Sequence, residues 1–240
     1  MKIKSVRRLF GRAQRGPDDE TAPQSGAKRI TETSTLSNLE ALLKDVEGWC
    51  TLHKAEKLQE LASSPSVRMA VEIGVFGGKS LLPMAAALKA KGYGCIYGIE
   101  PWDNDVAVET VTNEENDKWW KELDLVAIKR GFLQKLLAEK LEGQIKLLEL
   151  ASDSAIQVFQ SARFYGKVDL LHIDGSHSFE QSVFDVSFWL RMCAKGAFIV
   201  LDDINWASVG VAFEFMKNAA DMIYSVSDEQ RGHFAVFRKR

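Results

Sequence analysis

The chain has no long apolar run, no surplus of charge of one sign and no paired cysteine pattern, and each gap removes a class of protein. Its 240 residues carry 31 Lys and Arg against 33 Asp and Glu, a formal charge of −2. That leaves no overall basic footprint, so nucleic acid is not expected as a partner. No apolar stretch is long enough to span a bilayer, so no integral membrane segment is expected. The three cysteines, Cys50, Cys95 and Cys193, are odd in number and scattered. They make neither a disulfide framework nor a zinc spacing, and a reducing, cytoplasmic setting is expected. The basic opening stretch MKIKSVRRLFGRAQRG has no apolar centre of the kind a secretory signal needs. Residues 1–30 read as a disordered basic tail and linker. Contact with an acidic surface through Lys2, Lys4, Arg7, Arg8, Arg12 and Arg15 is the lesser reading.

What is present is enough apolar sequence, 46% of the residues, for one sizeable core. Residues 31–66 read as N-terminal helices. Leu36, Leu39, Leu42 and Leu43 form a helical stripe, with Ser37 as a possible cap, and KAEKLQELASS follows as a second helix. From residue 67 strands and helices alternate. The strands are RMAVEIG, GCIYGIE, IKLLEL, VDLLHID and AFIVLDD, with helices between them, which predicts an α/β fold with a mainly parallel sheet and helices on both faces. DMIYSVS and HFAVFRK leave no room for a helix between them and must pair as an antiparallel hairpin.

Ligands of open α/β sheets bind beyond the carboxyl ends of the strands. The first end, VEIGVFGGKS, brings Gly74, Gly77 and Gly78, which let the backbone turn sharply and approach a ligand. A helix start near Lys79 offers free N–H groups to an anion. A phosphate-binding P-loop would need glycine at Ile73, and the dinucleotide fingerprint would need it at Phe76. The second strand ends in Glu100, a carboxylate placed to accept the hydroxyls of a ribose. The fourth ends in DGSHSFE and the fifth in DDINW, so two apolar strands end in carboxylates with a histidine beside the first. His172, inside its strand, reads as a core residue. Ser176 lacks a nucleophile elbow.

With these motifs, residues 67–240 resemble the class I S-adenosylmethionine-dependent methyltransferases, and most closely the metal-dependent O-methyltransferases of the catechol and macrocin or mycinamicin type. EIGVFGGKS is similar to the family's first motif, IYGIEPW to its ribose-binding acid, and LASDSAIQVF to the segment at the adenine edge. The resemblance implies a Rossmann-like seven-stranded sheet with an antiparallel final strand. It implies S-adenosylmethionine as cofactor, held by Glu72, Gly74, Phe76, Gly77, Gly78, Ser80, Glu100, Trp102, Asp153, Ser154 and Asp174. It further implies Mg2+ on Asp174, Asp202 and Asp203, and His177 as catalytic base three residues after the first ligand. The implied partner is a small-molecule acceptor with a hydroxyl or vicinal diol, such as a sugar or glycosylated metabolite. The hard ion would orient the acceptor and acidify its hydroxyl.

Competing readings are a nicotinamide-dependent oxidoreductase, which Phe76 disfavours, a non-catalytic adenosyl-binding protein, and a metal-dependent hydrolase built on the three aspartates. Trp102, Trp119, Trp120 and Trp206 are expected to wall the pocket, whereas Trp189 is expected in the core. Residues 103–144 are longer than a minimal crossover, and within them NEENDKWWKELD (113–124) reads as a lid, an acceptor-binding element or a solvated helix pair. Glu180 reads as either a supporting or a solvated residue. A homo-oligomer is compatible with the sequence, but no motif specifies one.

Overall fold

A computed structural model describes residues 32–109 and 114–240. The tail expected over 1–30 lies outside them. Helices α1 (Glu32–Leu43) and α2 (Leu52–Ser63) precede β1 (Met69–Ile73), α3 (Leu81–Lys91) and β2 (Cys95–Ile99). Residues 103–144 hold α4 (Asn104–Ala107), α5 (Glu114–Glu122) and α6 (Leu125–Ala138). Then come β3 (Ile145–Leu148), α7 (Ser152–Phe159), β4 (Val168–Ile173), α8 (Phe179–Phe184), α9 (Leu190–Met192), β5 (Cys193–Asp202), α10 (Gly210–Ala219), β6 (Ala220–Asp228) and β7 (Gly232–Lys239). No helix among the described residues is long and apolar enough to cross a membrane.

The seven strands form one sheet in the order β3-β2-β1-β4-β5-β7-β6. β1 pairs in parallel with both β2 and β4, and β4 with β5. β7 runs antiparallel between β5 and β6 and closes the hairpin expected from the sequence. The chain winds outward from β1 through β2 to β3, then returns to β4 on the other side of β1. That reversal is the switch point at which open α/β sheets bind ligands.

Side chains of successive strand residues point to opposite faces, and two apolar layers follow. Ala70, Ile96, Leu170 and Val200 pack under α1, α2, α3 and α6. Val71, Ile99, Leu171 and Ile199 pack under α7, α10 and the helix that contains the fully buried Trp189. Both faces of β1 and β4 are therefore covered, as parallel strands require.

The N-terminal helices are not separate from the sheet domain. Glu32–Arg240 forms one unit, and Leu39, Leu58 and Leu61 share a core with Leu81 and Leu82, so a boundary at residue 66 does not divide the structure. Truncating the fully buried Leu58 to alanine would cost about 2–5 kcal/mol. Ser37 lies inside α1, which already starts at Glu32, and is not its cap. Thr51 caps α2 instead, its hydroxyl accepting the Lys54 N–H at 3.1 Å. Pro83 sits in the first turn of α3, and Gly92 ends that helix at φ 80°, a conformation that favours glycine. The long helix expected after β4 is interrupted. A π-helical turn at Asp185–Trp189 separates α8 from α9, and π-turns of this kind cluster at functional sites.

Candidate active site

A cleft of about 830 Å³ opens over the carboxyl ends of β1, β2, β4 and β5, a size suited to a small ligand. The loop after β1 supplies Gly74 and Phe76, and the first residue after β2 is Glu100. Gly74 is required by packing as well as lining the cleft. At φ 87° its added Cβ would lie 1.9 Å from the Asp174 carbonyl oxygen. Gly78, at φ 84°, would collide with the Phe132 ring at 2.3 Å. Glu100 ties two loops together. Its Oε2 accepts the N–H groups of Val75 (3.1 Å) and Phe76 (3.0 Å), and its Oε1 accepts that of Trp102 (3.1 Å). Burial raises the Glu100 pKa, and these three donors oppose the rise. Phe76, Trp102 and Asp203 all adopt positive φ, at 49°, 46° and 53°. Non-glycine residues held there mark strained, over-determined loops, and all three follow strand ends around this cleft.

At the ends of β4 and β5 the expected acids separate into two groups. Asp174 and Asp202 converge on Lys54 of α2. The Lys54 Nζ donates to Asp174 Oδ2 at 3.1 Å and to Asp202 Oδ2. Burial disfavours the ammonium, but the two carboxylates outweigh it and raise its pKa well above the ordinary lysine value. Burial also works against ionised Asp202, yet Lys54 and His172 bring it down to about 2. Burial and the charge of Asp202 push Asp174 up. Beneath them His172 is fully buried, its Nδ1 2.9 Å from Glu72 Oε1 and its Nε2 3.7 Å from both Asp174 Oδ2 and Asp202 Oδ2.

Asp203 turns the other way. Its Oδ2 lies 2.8 Å from His177 Nε2, while His177 Nδ1 lies 3.2 Å from Glu109 Oε1. Glu109 also accepts the His177 backbone N–H, and the imidazole stacks on Trp206 at a centroid distance of 4.4 Å. Burial opposes the imidazolium, but Asp203 and Glu109 raise the His177 pKa to about 10. The ring is therefore mainly protonated at neutral pH.

The third wall of the cleft carries Ser152 and Gln181. Ser152 Oγ donates to Asp185 Oδ1 at 2.6 Å, and Gln181 Nε2 donates to the same oxygen at 3.1 Å. Asp185 stands in the π-turn and is buried, which raises its pKa to about 6 against those two donors. This wall departs by one residue from the expected adenine segment. Asp153 and Ser154 are exposed and pair with each other, because the start of α7 turns Ser152 inward.

Other expected contacts also move. Trp102 is buried in the core, stacked on Phe132, with its Nε1 donating to the Phe76 carbonyl at 2.9 Å; it braces the loop and does not line the cleft. Glu72 is fully buried and outside the cleft lining, its Oε1 hydrogen-bonded to Ser80 and His172 and its Oε2 buried without a hydrogen-bond partner among the described residues. Gly77 and Gly78 likewise lie outside the lining, whereas Ser80 and Asp174 are part of it. Trp119, Trp120 and Trp206 do line the cleft, joined by Trp49, whose ring lies 5.1 Å from that of Phe76. Glu180 is exposed.

For a divalent cation, Asp174, Asp202 and His172 offer ligand atoms within 4.8 Å of one another. The set does not fit a resident ion with Lys54 in place. The Oδ2 atoms of both acids already hold the ammonium, and Asp203 belongs to His177.

Sequence reasoning missed Lys54, Glu109, Ser152 and Gln181. Only Lys54 left a signal. It stands where the α2 stripe of Lys54, Leu58 and Leu61 should be apolar throughout, and a lysine there needs a buried partner. Glu109 lies in the polar stretch after Pro101 with no motif around it.

This constellation sits on a Rossmann-like sheet at its switch point, with cleft-lining acids at the ends of three strands, β2, β4 and β5. The chain belongs to the methyltransferase-domain family, whose model matches residues 71–204. No curated protein matches it in sequence. Among solved structures, the O-methyltransferase TomG from Streptomyces achromogenes, involved in tomaymycin synthesis and determined with S-adenosylmethionine, is 15% identical with a TM-score of 0.59 over 88% of this chain and 92% of that one. An O-methyltransferase from Bacillus cereus, in complex with S-adenosylhomocysteine, is 17% identical with a TM-score of 0.56 over 89% and 94%. At these identities the likeness is one of fold.

Proposed function

We propose that this chain is an O-methyltransferase that uses S-adenosylmethionine and methylates a hydroxyl of a small polar acceptor. The observation that carries the reading is the His177–Asp203 pair in the same cleft as Glu100, a proton-accepting group sharing a space with a ribose-binding acid. The activities named for the two solved relatives support it.

Bound S-adenosylmethionine supplies a methyl group on a sulfonium: an acceptor oxygen forms the new bond to that carbon, the C–S electron pair returns to sulfur, and the hydroxyl proton leaves to a base. Glu100 retains acceptor capacity for a ribose hydroxyl beyond its three backbone donors. Gln181 spends its amide nitrogen on Ser152 and Asp185, which leaves its carbonyl oxygen as the acceptor suited to an adenine amine. Phe76 and Trp120 offer apolar surface. His177 takes the proton in its neutral form, with Asp203 and Glu109 stabilising the imidazolium that results. Much of the rate comes from holding the oxygen and methyl in line.

A sugar or glycosylated acceptor suits a cleft rich in carboxylates and indoles at this end. Magnesium is not part of this reading, because Lys54 is paired with both Asp174 and Asp202 at the position where an ion would sit. A cytoplasmic setting is in keeping with three free cysteines. The reading is tested by calorimetric titration with S-adenosylhomocysteine, then by following its release from S-adenosylmethionine across a panel of sugars, glycosides and phenols. Micromolar binding and acceptor-dependent release are expected. Binding of NADH in place of S-adenosylhomocysteine would sink the proposal in favour of an oxidoreductase.

A further inference from the structure

We propose that Lys54 is the resident cation of this cleft, so that methyl transfer runs without a divalent metal ion and the acceptor is addressed through a single hydroxyl rather than a chelating pair. The inference rests on the methyltransferase reading above and concerns how its acceptor end works.

The ammonium bonds the Oδ2 atoms of Asp174 and Asp202, the same two atoms that face His172 Nε2. A metal ion bound by this set would share its carboxylates with an ammonium already held between them, and the charge of Lys54 opposes a second cation there. Lys54 is not a surface side chain that has strayed inward. It is 6% exposed, and its helix is anchored by the fully buried Ala55 and Leu58 beside it. The start of α2 is pinned as well, since Thr51 accepts the Lys54 N–H and donates to the Arg231 carbonyl at 2.9 Å. The remaining acid a metal would recruit, Asp203, is committed to His177.

Charge points the same way. Two carboxylates side by side, Asp202 buried and Asp174 partly so, need a positive partner. A tethered ammonium provides one with no loss of a free ion's entropy. It also keeps a function toward ligand. An ammonium has three donors, two of which are used on Asp174 and Asp202, and Lys54 lines the cleft. The third can hold one acceptor oxygen beside His177. Magnesium would favour two adjacent oxygens on one ion, whereas a single N–H asks for only one. The acceptor class that fits is an isolated hydroxyl, with no need for a catechol or vicinal diol. The balance of the transfer is unchanged: the acceptor oxygen forms the C–O bond, the C–S pair goes to sulfur, the proton goes to His177, and Lys54 keeps its own protons.

The test is a Mn2+ titration of the purified full chain, read by the electron paramagnetic resonance of free Mn2+, on wild type and on Lys54→Met. Wild type should leave Mn2+ free at millimolar concentration. Lys54→Met, with its acids and His172 released, should gain one site with affinity raised about tenfold or more, or about 1.4 kcal/mol. Saturable wild-type binding that Asp202→Asn removes would overturn the proposal. So would a folded Lys54→Met that binds no better than wild type. Should Lys54→Met fail to fold, Lys54→Gln is read by the same criteria, and the wild-type titration stands without any variant. Calorimetry with S-adenosylhomocysteine on the same samples separates the two inferences, because loss of that binding would remove the methyltransferase reading and leave the Mn2+ result untouched.

Discussion

Asp202 and Asp203 are neighbours in sequence, yet they belong to two different corners of the cleft. Asp202 is the last residue of β5 and points at Lys54; the side chains of that pair are 5% and 7% exposed. Asp203 follows at φ 53° and points at His177, in a pair whose side chains are 29% and 23% exposed. The closed corner is a charge-compensated support. The half-open corner holds a group that can exchange a proton with a ligand. The difference shows how a left-handed backbone step turns two identical side chains to different chemistry.

Replacing His177 with alanine should have the largest effect at the open corner. Methyl transfer to an acceptor identified in the panel should fall by roughly 10²–10⁴-fold, while calorimetry finds unchanged affinity for S-adenosylhomocysteine. Full activity in this variant would hand the proton to another group and end the proposed division of labour.

At the closed corner the effect should be on folding. Asp202→Ala removes one partner of a buried ammonium and should cost about 3 kcal/mol in urea unfolding. Asp203→Ala, with its half-open partner, should cost less than about 1 kcal/mol in the same assay while impairing turnover. Equal costs would erase the distinction between the corners.

The pH dependence sharpens the open corner further. His177 is active as a base only when neutral, and its pKa is raised to about 10, so turnover should climb as pH rises toward that value. Glu109→Gln removes a carboxylate that stabilises the imidazolium, so the pKa must fall and the rising limb must move to lower pH. A limb that stays in place would show that Glu109 does not act on this ring. The stability linkage has a matching sign. A histidine raised above its unfolded value of 6.5 contributes stability that is full below that pH and is lost as pH rises through about 10.

A modest effect, confined to stability, is expected from Trp206→Ala. Loss of the stacking on His177 should lower stability by about 0.5–1.5 kcal/mol in thermal melts and should leave the closed corner alone. The Mn2+ response of a Trp206→Ala, Lys54→Met double variant should therefore equal that of Lys54→Met.

Much of the fold was legible in the sequence because its signals are local. Short apolar runs ending in Gly74, Glu100, Asp174 and Asp202 mark strand ends within a few residues, and the absence of a helix between β6 and β7 forces their pairing. The break of the helix after β4 at Asp185–Trp189 was not legible, since a π-turn leaves the apolar pattern intact. At the site, the residue types at strand ends were legible, but their partners were not. Trp102 reads as a pocket wall because it follows Glu100, and only its left-handed φ and its stacking on Phe132 place it in the core.

The sequence by itself determined the parallel sheet, its antiparallel closing strand and the acids over the switch point, because strand periodicity and turn chemistry act over a few residues. Only the tertiary structure decided what those acids do. Lys54 meets Asp174 and Asp202 across 120 and 148 residues of chain, and Glu109 meets His177 across 68. Such partners share no local pattern. They are brought together by the burial of α2 on one face of the sheet and by the folding of the segment after β2 over the cleft, and charge compensation at that distance is a property of the packed molecule alone.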